Sequence, residues 1–290
     1  MIICPKCSTK LEKKTTFYFC GACGFKANVV GGVVYFNPEI DETFESYNPK
    51  ALDVFYKYEK LHFWFRIRID FILQIFGKYV DKKSLVMEVG TGTGYIAREL
   101  KKNGYDVEIA DVHKQFLDFR KNKIIERKYQ FDIKEPPFTN HFDVIGMFDV
   151  LEHIEEDKAV LGNVRKMLND GGKVIITVPA HSWLWSKYDC SHKRRYNLKR
   201  IRAIFKESNF DVLEAKHFFV SIIPLLFIRS LIRRPKFNKG SAATLAKDQM
   251  SISPVMNKIL YWILCVECKL IKNIHPKIGG SIIVVAQKSK

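Results

Sequence analysis

From Lys83 onward, short apolar runs alternate with amphipathic stretches of helical period. The runs Leu85–Val89, Asp106–Ala110, Lys128–Phe131, Phe142–Met147 and Lys173–Val178 have the length and bounds of strands. Helical patterns fall among them at Tyr95–Asn103, Lys114–Lys121 and Glu156–Leu168. Repeated βα units predict an α/β fold with a parallel, doubly wound sheet. The tail predicts a helix at Leu198–Ser208, a strand at Val212–His217 and a seventh strand at Ser281–Gln287, after Gly279-Gly280.

Ahead of the sheet, Phe55, Tyr58, Phe63, Phe65, Ile69, Ile72, Ile75 and Phe76 recur at helical spacing, which predicts two helices between Ser46 and Tyr79. Between the last two strands lies an insertion, Phe218–Lys277. It carries two apolar helical patterns around a polar stretch near Asn238–Ser253 that is expected to be mobile. The resulting division is residues 1–37 as an N-terminal module, 38–80 as a helical entry segment, 81–217 with 278–290 as the core, and 218–277 as a helical insertion.

The cysteines define the first module. Cys4-Pro5-Lys6-Cys7 and Cys20-Gly21-Ala22-Cys23 are two C-x-x-C knuckles facing each other across a short hairpin. Two thiolates from each tight turn can reach one ion, and four sulfurs leave no position open for water, so the spacing predicts a structural zinc ribbon. A disulfide pair or a redox C-x-x-C is the alternative. Cys265 and Cys268 form a third C-x-x-C inside a helical pattern and read as small buried residues.

The formal charge of +17 sets up a positive field that would favour phosphate, RNA or an anionic membrane surface, unless it is simply a lysine-rich solvated face. Arg229 closes the longest apolar run, Phe218–Ile228, well short of the ~20 residues a membrane-spanning helix requires. No transmembrane helix is expected. Without signal-peptide grammar, a reducing cytoplasmic setting is expected, free in solution or peripheral at the membrane.

The candidate ligand loop is Glu88-Val89-Gly90-Thr91-Gly92-Thr93-Gly94, directly after the first core strand and before a helix. Glycines there allow a ligand to approach the backbone, whether a dinucleotide or S-adenosylmethionine. The Glu88 carboxylate would repel a pyrophosphate but suits a sulfonium ligand carrying an ammonium group. Asp111 ends the second strand, where a carboxylate can accept from both ribose hydroxyls. Gln130-Phe131-Asp132-Ile133 and Phe148-Asp149-Val150-Leu151-Glu152-His153 end the third and fourth strands.

With Gly171-Gly172, Val178-Pro179-Ala180, Leu184-Trp185-Ser186, Tyr188-Asp189, His192-Lys193-Arg194-Arg195-Tyr196 and the entry stretch His62-Phe63-Trp64-Phe65-Arg66-x-Arg68, these motifs resemble the class I S-adenosylmethionine-dependent methyltransferases. The likeness is to the ubiquinone-biosynthesis-like and related small-molecule groups, and it covers about Lys50–Lys290. It implies a seven-stranded Rossmann-like sheet binding S-adenosylmethionine through Glu88, Gly90, Thr91, Gly92, Thr93, Gly94, Asp111, Val112, Asp132, Ile133, Asp149 and Val150. Asp111 would hold the ribose and Asp132 the adenine amine. Ile133 would line the adenine pocket, and Asp149 to His153 would flank the methionine end.

His153 is the candidate general base, or else a residue packing the next helix. His62, Trp64, Arg66, Asp189, His192, Arg194, Arg195 and Tyr196 are candidate acceptor contacts, because their segments should overhang the cleft. The acceptor itself is read in two ways. The apolar stretch from Phe218, with Arg229, Arg233, Arg234 and Lys236 behind it, suits an interfacial helix at 218–236 and a lipid-like or small-molecule acceptor, or else a cover packed on the sheet. The ribbon with Gly-Gly-Val-Val-Tyr-Phe is similar to that of certain ribosomal-RNA guanine methyltransferases, which implies RNA. A noncatalytic protein retaining the fold is the third reading.

Overall fold

The computed structural model describes residues 1–40, 49–117, 124–186, 189, 191–231, 242–272 and 274–289. Tyr188, residues 118–121 of the helix expected after the second core strand, the basic anchors Arg233, Arg234 and Lys236, and 238–241 of the polar stretch lie outside them.

The N-terminal module folds as β1 (Glu12–Lys13), β2 (Phe17–Phe19), β3 (Lys26–Val30) and β4 (Val33–Tyr35), each antiparallel to the next. Gly31 and Gly32, with φ of +58° and +80°, form the tight turn between β3 and β4. Left-handed values at both positions match the twist of a two-residue hairpin, and only glycine adopts them without strain.

Helices α1 (Pro49–Glu59) and α2 (Phe63–Tyr79) follow. The core then alternates as β5 (Leu85–Val89), α3 (Tyr95–Lys102), β6 (Asp106–Asp111), α4 (Lys114–Leu117), β7 (Lys128–Gln130), β8 (Phe142–Phe148), α5 (Asp157–Met167), β9 (Leu168–Pro179), α6 (Leu198–Glu207) and β10 (Phe210–Phe218). The insertion holds α7 (Ile223–Leu231), α8 (Ala242–Met250) and α9 (Pro254–Ile271), and β11 (Ser281–Lys288) closes the chain.

All seven core strands read from the sequence are present, in the order β7-β6-β5-β8-β9-β11-β10. Two features correct the expected sheet. It is not wholly parallel, because β11 inserts antiparallel between β9 and β10. Nor does it stop at seven strands, because β4 pairs in parallel with β7, Val34 opposite Tyr129, and makes one sheet of eleven. Without β4, β7 would present an unpaired edge of N–H and C=O groups, so the ribbon covers it. Cys4, Cys20, Tyr18 and Phe36 share one buried core with Tyr129 and Phe138.

A further difference is α8, which occupies the stretch expected to be mobile. Ala246 and Met250, one helical turn apart, are buried, and the helix packs on α1. Two apolar residues at i, i+4 suffice to dock a short helix whose other face is polar. The strand order reverses between β5 and β8, so their carboxyl ends open a crevice at the topological switch point. No described helix is long and apolar enough to cross a membrane.

Candidate functional site

The loop leaving β5 is shaped by glycine. Gly90, Gly92 and Gly94 have φ of +73°, +52° and +73°. At Gly90 a Cβ would lie 2.5 Å from Val150 Cγ2. The loops after β5 and β8 therefore touch at a point with no room for a side chain. Thr93 Oγ1 donates to Glu59 Oε2 at 2.7 Å, and Arg98 pairs with Glu59 while donating to the Thr93 carbonyl, tying the loop to α1. Glu59 and Arg98 were not singled out from sequence, since neither belongs to a spaced motif.

The acids predicted to hold a ligand line up along adjacent strand ends. Glu88 is buried, with Thr91 Oγ1 3.4 Å from Oε2, and burial pushes its pKa up to about 8. Asp111, also buried, accepts from Gly92 N at 3.3 Å and from His113 N at 3.0 Å, and burial raises it to about 7. Carboxylates held this way are under-solvated and take hydrogen-bond donors or cations readily. Asp132 Oδ1 accepts from Lys134 N at 2.9 Å, and Ile133 beside it is buried. The Val112 carbonyl, next to Asp111, accepts from Gln130 Nε2 at 3.0 Å.

Asp149 lies at the end of β8 with φ of +57°. Its Oδ1 accepts from Thr177 Oγ1 at 3.0 Å, and its Oδ2 lies 2.9 Å from Arg68 Nη2. Asp149 also faces a second space, a cavity of about 250 Å³ between the strand ends, α2, α7 and the segment after β9. Of the residues read as acceptor contacts, the structure brings His62, Trp64, Asp189, His192 and Arg195 to this cavity. Arg66 instead stacks on Tyr261 of α9, 3.6 Å from the ring centroid. Arg194 pairs with Asp157 at 2.9 Å, and buried Tyr196 donates to the same carboxylate at 3.2 Å. Those two hold the segment after β9 against the start of α5.

Arg68, Glu152 and Arg229 also line the cavity; each falls within a motif or segment named from the sequence, but none was read there as an acceptor contact. Arg68 was legible in part, because it follows Trp64 by one helical turn and shares its face. Burial, then the Asp149 charge, pushes the pKa of Glu152 well above the carboxylate range, and neither of its oxygens has a hydrogen-bond partner among the described residues.

His153 and His192 lie with ring centroids 4.8 Å apart, in unlike settings. The His153 ring is mostly buried, with Nδ1 3.2 Å from the Ser191 carbonyl, and desolvation lowers its pKa to about 4. His192 faces the cavity with Nδ1 2.8 Å from Asp189 Oδ1. Asp189 is pinned in turn by Arg195 at 2.6 Å and by the Ser186 N–H and hydroxyl at 2.7 and 2.9 Å. Burial alone would raise Asp189, but His192, Arg195 and the Ser186 amide outweigh it and hold the carboxyl near a pKa of about 2. Glu152, His153 and His192 also bring ligand atoms within 4.8 Å of one another, a donor set that could take a divalent cation.

At the far edge of the sheet, Cys4, Cys7, Cys20 and Cys23 converge. Their Sγ–Sγ separations of 3.4 and 3.5 Å approach the ~3.8 Å edge of a tetrahedron with Zn–S bonds of ~2.3 Å. The donor set therefore fits zinc, with every position filled by sulfur.

A family model described as a methyltransferase domain matches residues 60–215, more than half of the chain. Ubiquinone biosynthesis O-methyltransferase of Aliivibrio fischeri is 24% identical over 148 residues, covering 49% of this chain and 62% of that one. Its counterpart from Yersinia enterocolitica is 25% identical over 151 residues, with the same coverage of 49% and 62%. The match thus spans less than two thirds of these relatives. Among solved structures, a chain of the complex between the Haloferax volcanii Trm112 methyltransferase activator and a methyltransferase superposes with a TM-score of 0.54 at 13% identity, over 83% of this chain and 94% of that one. An S-adenosylmethionine-dependent methyltransferase from Archaeoglobus fulgidus gives 0.50 at 16% identity, over 81% and 99%. These superpositions show a shared fold.

Proposed function

This chain belongs to the methyltransferase-domain family, and from that premise we propose that it methylates a hydroxyl-bearing small or lipid-like molecule, with S-adenosylmethionine as donor. One observation carries the reading. The pair Asp149-Val150 joins two spaces, with Val150 against Gly90 of the glycine loop and Asp149 on the wall of the cavity. A donor in the loop and an acceptor in the cavity would meet there.

When bound, S-adenosylmethionine supplies a methyl group on a positively charged sulfur, open to direct in-line displacement by an acceptor lone pair. The backbone of Gly90, Thr91, Gly92, Thr93 and Gly94 would bear against it, with Asp111 accepting from the ribose hydroxyls. Asp132, Val112 and Ile133 would border the adenine, and Glu88 with Asp149 and Val150 the methionine end. The buried acids support this assignment, because an ammonium group and two hydroxyls would add donors to carboxylates that burial leaves under-solvated. As the acceptor oxygen bonds to the methyl carbon and the carbon–sulfur bond breaks, the oxygen must shed its proton. His192 is the proposed recipient: Asp189 Oδ1 lies 2.8 Å from its Nδ1, and its Nε2 lies 4.0 Å from Glu152 Oε1 on the cavity wall. His153, the base read from the sequence, is turned to the Ser191 carbonyl and serves better as packing beside His192.

The names of the curated relatives support an oxygen acceptor, and the apolar walls Trp64, Leu225 and Leu226 support one with hydrocarbon character. The RNA alternative rests on the ribbon and the basic charge. Incubation of the zinc-loaded protein with radiolabelled methyl donor and separated lipid, small-metabolite and RNA extracts tests all of these. Label in the lipid or metabolite fraction is expected, and label in RNA alone overturns the acceptor. Absence of binding heat with S-adenosylmethionine in calorimetry would overturn the donor.

A further inference from the structure

The outer face of α9 is apolar where a surface helix is ordinarily polar. Val255, Met256, Ile259, Trp262, Ile263, Val266 and Leu270 are between 44% and 70% exposed. At 100° per residue all seven fall within about 120° of arc, a single continuous stripe. The buried positions Leu264, Cys268 and Ile271 lie on the opposite side, against α2. The helix is thus apolar on both faces, and among the described residues only one is covered.

Three further observations say what covers the other. Along one border of the stripe stand Lys258 and Lys269, with Lys272 beyond, all exposed. The one acid of α9, Glu267, is turned inward, where its carboxylate accepts from Val220 N at 2.8 Å and Ser221 N at 2.6 Å just ahead of α7. That ties the turn ahead of α7 to α9, and α7 repeats the pattern. It buries no residue, carries no acid and exposes Phe227, Ile228 and Leu231, while Arg229 is on the cavity side. Finally, the surface adjoins the cavity. Leu225 is both exposed and on the cavity wall, Phe227 sits 6.0 Å from exposed Trp183, and Asn257 of α9 accepts from the N–H of the cavity residue Phe63 at 2.8 Å.

We propose that the outer faces of α9 and α7 form one docking surface for an anionic lipid bilayer, lying in the headgroup region with the cavity beside it. Apolar side chains bordered by lysine, without an exposed acid on either helix, complement a surface that is apolar beneath and negative above. A second copy of the same face would set lysine against lysine. The surface read from the sequence, 218–236, is thereby extended to α9, the second apolar helical pattern of the insertion. The corollary that an amphipathic acceptor enters the cavity from the lipid rests on the methyl-transfer reading above; the docking does not.

The test is flotation of the full-length, zinc-loaded protein with vesicles of phosphatidylcholine alone or mixed with phosphatidylglycerol. The wild type should float with the anionic vesicles and much less with the neutral ones. Trp262→Glu combined with Val266→Glu should lower partitioning about tenfold or more, because two apolar anchors become charged. Lys258→Glu with Lys269→Glu should abolish the preference for anionic lipid. Calorimetric binding of S-adenosylmethionine should be unchanged in both variants, which shows that they fold and separates this proposal from the donor assignment. Failure of the wild type to float with anionic vesicles overturns the proposal. So does a dimer in sedimentation equilibrium that Trp262→Glu dissociates while vesicle binding persists.

Discussion

Asn37 and Gln130 hydrogen-bond to each other twice: Asn37 N donates to Gln130 Oε1 at 3.0 Å, and Gln130 Nε2 donates to the Asn37 carbonyl at 2.9 Å. Gln130 Nε2 also reaches the carbonyl of Val112, and the Asn37 side chain accepts from Asp132 N at 3.2 Å. The last residues of the ribbon are thereby stitched to the two loops that carry Asp111 and Asp132. Each hydrogen bond contributes about 1 kcal/mol net, and more where a buried partner is left unsatisfied. Gln130→Ala should therefore weaken S-adenosylmethionine binding roughly tenfold with little change in secondary structure. Unchanged affinity in calorimetry would show that the adenosine loops hold their shape without the brace.

Metal removal should act along the same route. Structural zinc provides much of the folding free energy of such a module. Chelation, or Cys7→Ser with Cys23→Ser, should melt the ribbon and expose β7 as an edge. Amide exchange at Lys128–Gln130 should accelerate, and cofactor affinity should fall while β5 and β8 remain protected. Equal acceleration across all core strands would instead make the ribbon a global stability element.

Gly90 offers a sharper test of the donor loop. Gly90→Ala places a methyl group 2.5 Å from Val150 Cγ2 at a residue with φ of +73°. The backbone term alone costs about 1–2 kcal/mol. Cofactor affinity should fall by about five- to thirtyfold from that term. Adding Val150→Ala should recover the part due to the clash and leave the part due to φ. Full recovery in the double variant would show that backbone conformation contributes nothing here.

The buried acids set a pH dependence. Glu88, near 8, and Asp111, near 7, are both raised above their ordinary values by burial. A proton is therefore held more tightly in the folded protein than in the unfolded chain. Their contribution to stability is complete below the ordinary carboxylate range and is lost as pH rises through about 7 to 8. A ligand offering an ammonium group and hydroxyls prefers the ionised forms, so cofactor affinity should rise over that interval while unliganded stability declines. Glu88→Gln should remove the upper part of the affinity rise, measured by calorimetry at each pH. A profile identical to that of the wild type would take Glu88 out of the site.

The proposed proton removal by His192 is separable from binding. His192→Ala should lower kcat by about 100-fold or more, the usual contribution of a positioned base. The dissociation constant of the cofactor should stay the same. Asp189→Asn should lower kcat by a smaller factor, since the imidazole would remain but lose its orientation. If His153→Ala has the larger effect on kcat, the two roles are exchanged.

The sequence by itself determined the seven core strands, the glycine loop, the order of acids along the strand ends and the four-cysteine cluster. Each is a local signal. A run of apolar residues, a C-x-x-C turn or a glycine with positive φ is set by neighbours in the chain, and the spacing survives in one dimension. Only the tertiary structure decided which residues face one another across distance. The parallel pairing of β4 with β7 and the bonds of Asn37 to Gln130 join segments almost a hundred residues apart with no pattern to announce them. So does Arg68 on Asp149, and only burial and partners distinguish the setting of His153, beside the Ser191 carbonyl, from that of His192, beside Asp189. The stripe on α9 shows the converse. Its apolar residues are plain in the sequence, but an apolar residue can be buried or exposed, and only the packing of α9 on α2 distinguishes the two sides among the described residues.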